Sequence, residues 1–499
     1  MELCKKKDID FSKLWIHVAL IILAGIVFCG WGLSRTNFFQ FDDYTWQWST
    51  MNTSFADLFN VIPNAPYNDR PAGAVLIKAL FSLFGMNEVA HHAVLLLIHL
   101  VSSLLLYAVM SLILRDYLGN PSRKWMGVLP WISAVLFAGW STSTVRAVYW
   151  DSAVFDLLAG FFVLVASCFY FLAQDGKGRI WKSLVCLLAY GLALRSKEMS
   201  VLLPCMLACI TVWQITWYRK ELGSRFTWNP ALLGGLLVLM VAYVSRILWI
   251  KSRNQDLADP LSPYFLSHDP LIILRNLIRY LAIYFNPFQD DYIASNGAWS
   301  LPFYGFWAIL CLGFLGLAVK GYLRSRSPLI LIPVLFVLQI APVLPMQNMQ
   351  TRLYLYIPSM ILSILTATGI CWVVGRMRSS SDNWRPVALA GIAFLMLAFI
   401  STNGVNPTYR GFYLSVGREN KKIYDSLSKM PRPPHGATVC LVNVPKWLAP
   451  YCLFAAGSGS GNVLKSYFND SSLKTKVKAD SITNVGDKEV VDYKTLISE

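Results

Sequence analysis

The chain has 499 residues, of which 55% are hydrophobic and 14% charged, and its mean hydropathy is +0.47. This composition is typical of a polytopic membrane protein and excludes a large soluble enzyme. The formal net charge of +16 lies mostly in short loops between apolar stretches, as membrane topology requires, which argues against nucleic acid as a partner.

Apolar stretches of roughly 17 to 25 residues are long enough to cross a bilayer as helices. The sequence predicts eleven of them, at 14–33, 88–114, 126–142, 153–172, 181–195, 199–217, 230–250, 303–319, 329–345, 354–375 and 386–402. The fold class is therefore an all-α polytopic membrane protein. Two further apolar segments, 71–86 and 271–287, contain Lys or Arg, and we expect them to lie at the membrane interface.

The basic residues predict the orientation. Six alternate loops, beginning with 1–13, hold 19 Lys and Arg in 65 residues, whereas the intervening loops hold ten in 114. The positive-inside rule places the N-terminus in the cytoplasm and the loops 34–70 and 251–302 outside. We expect a bacterial inner membrane.

The chain becomes polar after residue 402. We expect residues 1–402 to form a transmembrane domain and 403–499 a small extracytoplasmic α/β domain with a buried strand at Thr438–Val444. Gly457–Gly461 predicts a loop, and 469–499 is polar enough to be poorly ordered. Cys440 and Cys452 form either a disulfide or a buried pair of free thiols.

The first predicted outside loop contains two adjacent carboxylates, Asp42 and Asp43, among six aromatic residues between Phe38 and Trp48. Aromatic residues are enriched where a chain leaves the hydrocarbon core. Carboxylates held at this depth cost solvation energy, which favours a functional role, with one of them as a catalytic base. The alternative is that Asp42 caps a short helix while Asp43 faces water.

Arg70 ends the same loop, and the other predicted outside loops add further polar groups to this surface. These are Arg146, Asp151, Lys197, Glu198, Asp290, Asp291, Tyr292 and Arg352. Arg275 and Arg279, four residues apart on one helical face, either hold a lipid phosphate or attract anionic headgroups generally. A carboxylate near several cations can deprotonate a hydroxyl and stabilise a departing phosphate. Simple solvation of these loop charges is the alternative.

Several motifs occur in an order that resembles one family. They are FDDY at Phe41–Tyr44, Arg70–Pro71, His92 and His99, SKE at Ser196–Glu198, YLAIYFNPFQDDY at 280–292 and RLYLYIPSM at Arg352–Met360. The ordered set resembles the membrane O-mannosyltransferases that carry tetratricopeptide repeats, within the GT-C superfamily, over most of residues 35–375. The resemblance implies sugar transfer from a polyprenyl-phosphate donor on the outer face, with Asp42 as base and Asp43 as its neighbour.

The chain departs from that family pattern at two positions, Arg146 and Val154, and lacks the repeats, so the mannose donor and protein acceptor are not carried over. His92 and His99 alone are more often packing residues than catalysts, and Asp156, inside a predicted span, needs a partner or a role near the site.

The sequence thus predicts an inverting glycosyltransferase that moves a monosaccharide from a polyprenyl-phosphate to an acceptor hydroxyl of a glycan, lipid or protein. Arg352, Lys197, Arg275 and Arg279 are expected to hold the donor phosphate, Arg70 to orient the acidic loop, and Glu198 and Asp291 to contact substrate. Some members of the family that the motifs resemble use a divalent metal and others use none, and the pair of Asp42 and Asp43 is compatible with either. The alternatives are a transporter or flippase of a lipid-linked glycan and a catalytically silent relative.

Overall fold

The protein is described by a computed structural model. It covers residues 11–30, 33, 38–39, 42–59, 70–118, 127–139, 147–175, 177–221, 229–252, 265–285, 316, 319–320, 322–323, 328–348, 352–379, 407–446, 448–449, 452–455, 462–478 and 489–498.

The described part of the membrane region is helical. Its helices are α1 (Phe11–Cys29), α2 (Asp42–Met51), α3 (Pro71–Phe84), α4 (Glu88–Leu118), α5 (Leu129–Gly139), α6 (Val154–Leu172), α7 (Arg179–Leu194), α8 (Leu203–Glu221), α9 (Pro230–Lys251), α10 (Pro270–Phe285), α11 (Leu331–Ile340) and α12 (Pro358–Ser379). Proline is the first residue of α3, α9, α10 and α12, where its missing N–H costs nothing.

Four helical stretches are long and apolar enough to cross a membrane, namely Glu88–Leu114, Asp151–Leu172, Glu198–Trp217 and Pro230–Ile250. They match four of the predicted spans and confirm the polytopic helical class. Other predicted spans correspond to shorter apolar helices, such as Leu129–Gly139. The predicted spans at 303–319 and 386–402 lie almost wholly outside the described residues, and the count of eleven is not confirmed.

Helix α6 is the most buried of the long apolar helices that the structure describes. Helix α6 packs along α4 and α7, and α5 packs between α1, α4 and α12. Helix α6 is buried along most of its length, whereas only 17% of the apolar part of α9 is buried inside the protein. The large apolar side chains that α9 exposes, including Val238, Val241 and Leu248, suit contact with lipid.

The C-terminal segment forms a small α/β unit. It contains α13 (Pro407–Ser426), β1 (Thr438–Val442), α14 (Asn462–Phe468), β2 (Lys474–Val477), β3 (Glu489–Asp492) and α15 (Tyr493–Ser498). The strand order is β2-β1-β3, with both neighbours parallel to β1. The predicted buried strand is confirmed at Thr438–Val442, and Cys440 and Cys452 are buried free thiols.

The expectation that 469–499 is poorly ordered was wrong for the residues that form β2, β3 and α15. Strand β2 buries Thr475 between the exposed side chains of Lys474 and Lys476. Its alternating pattern contains too few apolar residues to be recognised in the sequence. The predicted loop at Gly457–Gly461 and the boundary at 402/403 lie outside the described residues.

Candidate active site

The two adjacent carboxylates have different surroundings. Asp42 is the first residue of α2 and is half-buried, whereas Asp43 is only 3% exposed. The Ser152 backbone N–H and hydroxyl both donate to Asp43 Oδ1, at 2.8 and 2.6 Å. The alternative in which Asp43 faces water is therefore wrong. Asp43 anchors α2 to the turn that precedes α6, and Asp42 is the more accessible carboxylate.

The turn Asp151–Ala153 is itself held in place by two histidines of α4. His91 Nδ1 lies 2.5 Å from Asp151 Oδ2, and His91 Nε2 donates to the carbonyl of Gly85 at 3.1 Å. His92 Nε2 lies 3.9 Å from the other oxygen of Asp151. All three side chains are buried, so the contact between His91 and Asp151 fixes the turn to which Asp43 is bonded.

Tyr44 follows the carboxylates and is fully buried. Burial raises the pKa of Tyr44 well above its usual value, and nearby Tyr424 and Asp43 add to this. The phenol is therefore neutral at physiological pH. Its hydroxyl has no hydrogen-bond partner among the residues that the structure describes.

A second cluster of charges lies beside the first turn of α6. Lys197 Nζ lies 3.1 Å from Asp156 Oδ2, and both side chains are almost completely buried. Lys197 Nζ also lies 5.3 Å above the ring of Tyr354. Asp156 therefore has the partner that its place in an apolar helix requires, and Lys197 enters the site as half of an ion pair.

Arg70 and Glu198 form the more exposed pair of this cluster. Arg70 donates to both oxygens of Glu198 at 3.0 Å, with about a quarter to a third of each side chain exposed. The Arg70 guanidinium also lies 5.8 Å from the centre of the Phe155 ring. Trp46 of α2 contacts the same ring, with 4.3 Å between ring centres. Arg70 thus reaches the acidic helix through Phe155.

The predicted phosphate-binding residues Arg275 and Arg279 lie on α10. Arg279 is 5% exposed and Arg275 is half-buried. Between them, Asn276 Nδ2 donates to the carbonyls of Leu344 and Met346 at 2.8 and 2.9 Å. These bonds hold α10 against the segment after α11, and α10 also packs on the turn Arg352–Leu355. The backbone of Arg352 therefore lies beside α10.

Some predicted site residues cannot be placed. The side chain of Arg352 and the residues Arg146, Asp290, Asp291 and Tyr292 lie outside the described parts of the chain.

An apolar cavity of about 130 Å³ lies inside the bundle. Six helices, α4, α5, α6, α8, α11 and α12, supply side chains such as Leu106, Leu129, Val163, Leu207, Ile332 and Ile361. Gln339 also lines it, and its Nε2 donates to the carbonyl of Met199, next to Glu198, at 2.6 Å. The cavity therefore lies inside the apolar bundle, and one of its few polar lining residues bonds to the backbone next to Glu198.

The histidines that the motif order included have different surroundings. His99 is buried, with Nδ1 3.0 Å from the Tyr356 hydroxyl and Nε2 3.1 Å from the Ala138 carbonyl oxygen. Since the carbonyl only accepts, Nε2 donates and Nδ1 accepts. His99 thus links helices, which agrees with the packing interpretation. His92 lies closer to the site, but sequence reasoning missed its neighbour His91, which holds Asp151.

Within the described residues, no group of three or more His, Cys, Asp or Glu side chains is placed to hold a metal ion. Asp43 has committed one oxygen to Ser152. Asp42, the more accessible of the two carboxylates, is placed where it could accept a proton.

No family model matches the chain, and neither does any curated protein. Three similar solved structures span most of it. The Archaeoglobus fulgidus oligosaccharyltransferase tethered to an acceptor peptide has 13% identity and a TM-score of 0.49, over 94% of this chain and 64% of that one. The same organism's AglB, in complex with an inhibitory peptide and a dolichol-phosphate, has 13% identity and a TM-score of 0.47, over 87% and 63%. ArnT from Cupriavidus metallidurans, bound to undecaprenyl phosphate, has 16% identity and a TM-score of 0.41, over 89% of this chain and 84% of that one.

Both kinds of neighbour are glycosyltransferases of the GT-C superfamily, the superfamily that the motif order resembles, and no O-mannosyltransferase is among these three. The chain spans less than two thirds of the length of the oligosaccharyltransferase. Because every TM-score lies below 0.5, these neighbours carry no conclusion about the chemistry of this chain.

Proposed function

We propose that the protein is an integral-membrane inverting glycosyltransferase that moves a monosaccharide from a polyprenyl-phosphate to an acceptor hydroxyl on the extracytoplasmic face. One observation carries the proposal: the half-buried carboxylate of Asp42 lies on a helix that Asp43 anchors to the turn before α6, whose first turn carries the buried pair of Asp156 and Lys197.

Asp42 is the base in this proposal. It takes the proton from the acceptor hydroxyl while the acceptor oxygen attacks the anomeric carbon. The bond from that carbon to the phosphate oxygen breaks, and the polyprenyl phosphate leaves from the opposite face, so the single displacement inverts the configuration. A positioned general base contributes about 10²- to 10⁴-fold to the rate. Asp43 positions Asp42, because its bonds to Ser152 hold α2 in place.

The leaving phosphate gains negative charge, and cations placed near it stabilise the transition state. Lys197 lies beside the Tyr354 ring, and α10, which carries Arg275 and Arg279, packs on the turn Arg352–Leu355, so this turn is the proposed phosphate position. Lys197 is paired with Asp156, so it contributes as part of a network, and Arg352 remains a proposed member of the set. Arg70 and Glu198 lie between this region and α2.

The lipid part of the donor is proposed to enter the apolar cavity. A polyprenyl chain has no polar groups, and the cavity is lined by side chains such as Leu106, Leu207 and Ile361. Burial of apolar surface contributes roughly 25 cal/mol per Å², so such a cavity selects a lipid-linked donor over a free sugar phosphate.

The test is sugar release by the purified protein from a panel of radiolabelled polyprenyl-phosphate monosaccharides. Wild type is compared with Asp42→Asn and Arg352→Ala. We expect turnover of at least one donor by wild type and its loss in both variants. A fully active Asp42→Asn protein contradicts the mechanism. Tight binding of a donor without turnover favours a flippase or a catalytically silent relative.

A further inference from the structure

Lys78 lies on α3 and points at the end of α2 opposite to Asp42. Its Nζ donates to the carbonyls of Thr50 at 3.0 Å, Thr53 at 2.8 Å and Met51 at 3.3 Å. Thr50 and Met51 are the last two residues of α2. The ammonium group is therefore within hydrogen-bond distance of three carbonyls at and just beyond the C-terminal end of the acidic helix.

The charges at both ends of α2 match its dipole. Carboxylates are favoured at a helix N-terminus and cations at a C-terminus. Helix α2 begins with Asp42 and Asp43, and Lys78 of α3 contacts its C-terminal end. The acidic residues are part of the helix itself, whereas the cation comes from α3. Lys78 therefore stabilises α2 and also ties its C-terminal end to α3.

Helix α2 depends on such contacts for its position. It has 10 residues, and isolated helices shorter than about 12 to 15 residues are marginal in water. Its N-terminal end is tied to the turn before α6 by Asp43 and Ser152, and its C-terminal end to α3 by Lys78. A rotation or slide of α2 would move Asp42, which lies outside both contacts.

We propose that Lys78 is a positioning residue: it fixes α2 from its C-terminal end and so holds Asp42 where the proposed transfer reaction needs it. The inference rests on the proposed function for the role of Asp42. The position of α2 can be measured without that function.

The chain offers a matched control in Lys182. Its Nζ donates to the carbonyl of Leu172, the last residue of α6, at 3.1 Å. This contact also joins a lysine to the carbonyl end of a helix, but it lies at the end of α6 opposite to Asp156. Lys182→Met thus removes the same kind of contact away from the site.

The experiment compares wild type, Lys78→Met, Lys78→Arg and Lys182→Met in lipid nanodiscs. Amide hydrogen exchange is followed in residues 43–53, and kcat and KM are measured for sugar transfer. Exchange in β1 checks that each variant is folded. For Lys78→Met we expect exchange in 43–53 to be about tenfold faster, since bonds to a charged donor are lost. We expect its kcat to fall by about 10- to 100-fold with little change in KM.

Lys78→Arg should restore most of both properties, and Lys182→Met should resemble wild type. Unchanged exchange in Lys78→Met overturns the proposal. So does faster exchange with a kcat equal to that of Lys182→Met. If wild type turns over no donor, the transfer function fails by itself, while faster exchange confined to residues 43–53 of Lys78→Met still supports the placement of α2 by Lys78.

Discussion

Asp43 Oδ1 accepts two hydrogen bonds from one residue, the backbone N–H and the hydroxyl of Ser152, which lies 109 residues further along the chain. This contact gives two neighbouring carboxylates separate roles. Asp43 joins α2 to the start of α6, and Asp42 is left half-buried at the first position of α2.

The first prediction contrasts the two carboxylates. Asp42→Asn removes the proposed base, so we expect sugar transfer to fall by about 10²- to 10⁴-fold. Asp43→Asn keeps an oxygen that can accept from Ser152, so we expect it to retain most of the activity. Transfer assays on equal amounts of folded protein measure both.

Asp43→Ala serves as the control for the anchor. It leaves the buried Ser152 N–H without its acceptor, and we expect it to lower stability by about 1 to 3 kcal/mol. Equal activity losses in Asp42→Asn and Asp43→Asn would contradict the division of roles.

The second prediction concerns the buried pair of Asp156 and Lys197. Either Asp156→Leu or Lys197→Met alone leaves an unpaired buried charge, which costs about 3 to 5 kcal/mol. The double variant removes both charges, and we expect its thermal stability in detergent to be close to that of wild type.

The double variant also tests the proposed role of Lys197. If the ammonium helps to hold the donor phosphate, the stable double variant has a raised KM for the donor. A double variant with both wild-type stability and wild-type KM would show that Lys197 acts only in folding.

The third prediction tests the apolar cavity. Leu207 lines it and is 1% exposed, whereas Leu184 on α7 is 61% exposed on the outer surface of the bundle. We expect Leu207→Trp to fill the cavity and raise the KM for a long-chain donor more than for a short-chain analogue. Leu184→Trp should leave both KM values unchanged. Equal effects of Leu207→Trp on the two donors argue against a lipid in this cavity.

The fourth prediction concerns Tyr44, whose buried hydroxyl has no partner within the described residues. Removal of an unsatisfied buried hydroxyl recovers its desolvation penalty, so Tyr44→Phe should raise stability by about 1 kcal/mol. Thermal unfolding in detergent measures this. A loss of stability would indicate that the hydroxyl bonds to a group beyond the described residues, and a loss of activity alone would place it against substrate.

Much of the fold follows from local patterns. Four of the predicted spans appear as long apolar helices because the composition of about 20 consecutive residues decides whether a segment can lie in lipid. Strand β1 has the run of β-branched and apolar residues that a buried strand requires. Strand β2 alternates lysines with Thr475 and Val477. Because this segment is rich in lysine, its sequence did not predict a strand.

The site could be predicted only in part. Asp42, Asp43, Arg70, Lys197 and Glu198 were predicted as site residues because charged residues next to apolar spans are costly unless they have a role. Ser152, His91 and Lys78 carry no such signal, since serine, histidine and a single lysine are common in membrane-proximal segments. Their roles follow only from the partners that the fold provides.

From the sequence alone it followed that the chain is a polytopic helical membrane protein and that Asp42 and Asp43 stand between two apolar segments, because the free energy of transfer of short apolar segments decides whether they enter lipid. The tertiary structure alone decided which carboxylate is buried and which cations are already paired. Those outcomes depend on the rotation of α2 and on contacts between residues far apart in the chain, such as Asp43 with Ser152 and Arg70 with Glu198. Such contacts form only after the helices pack, so no local pattern contains them.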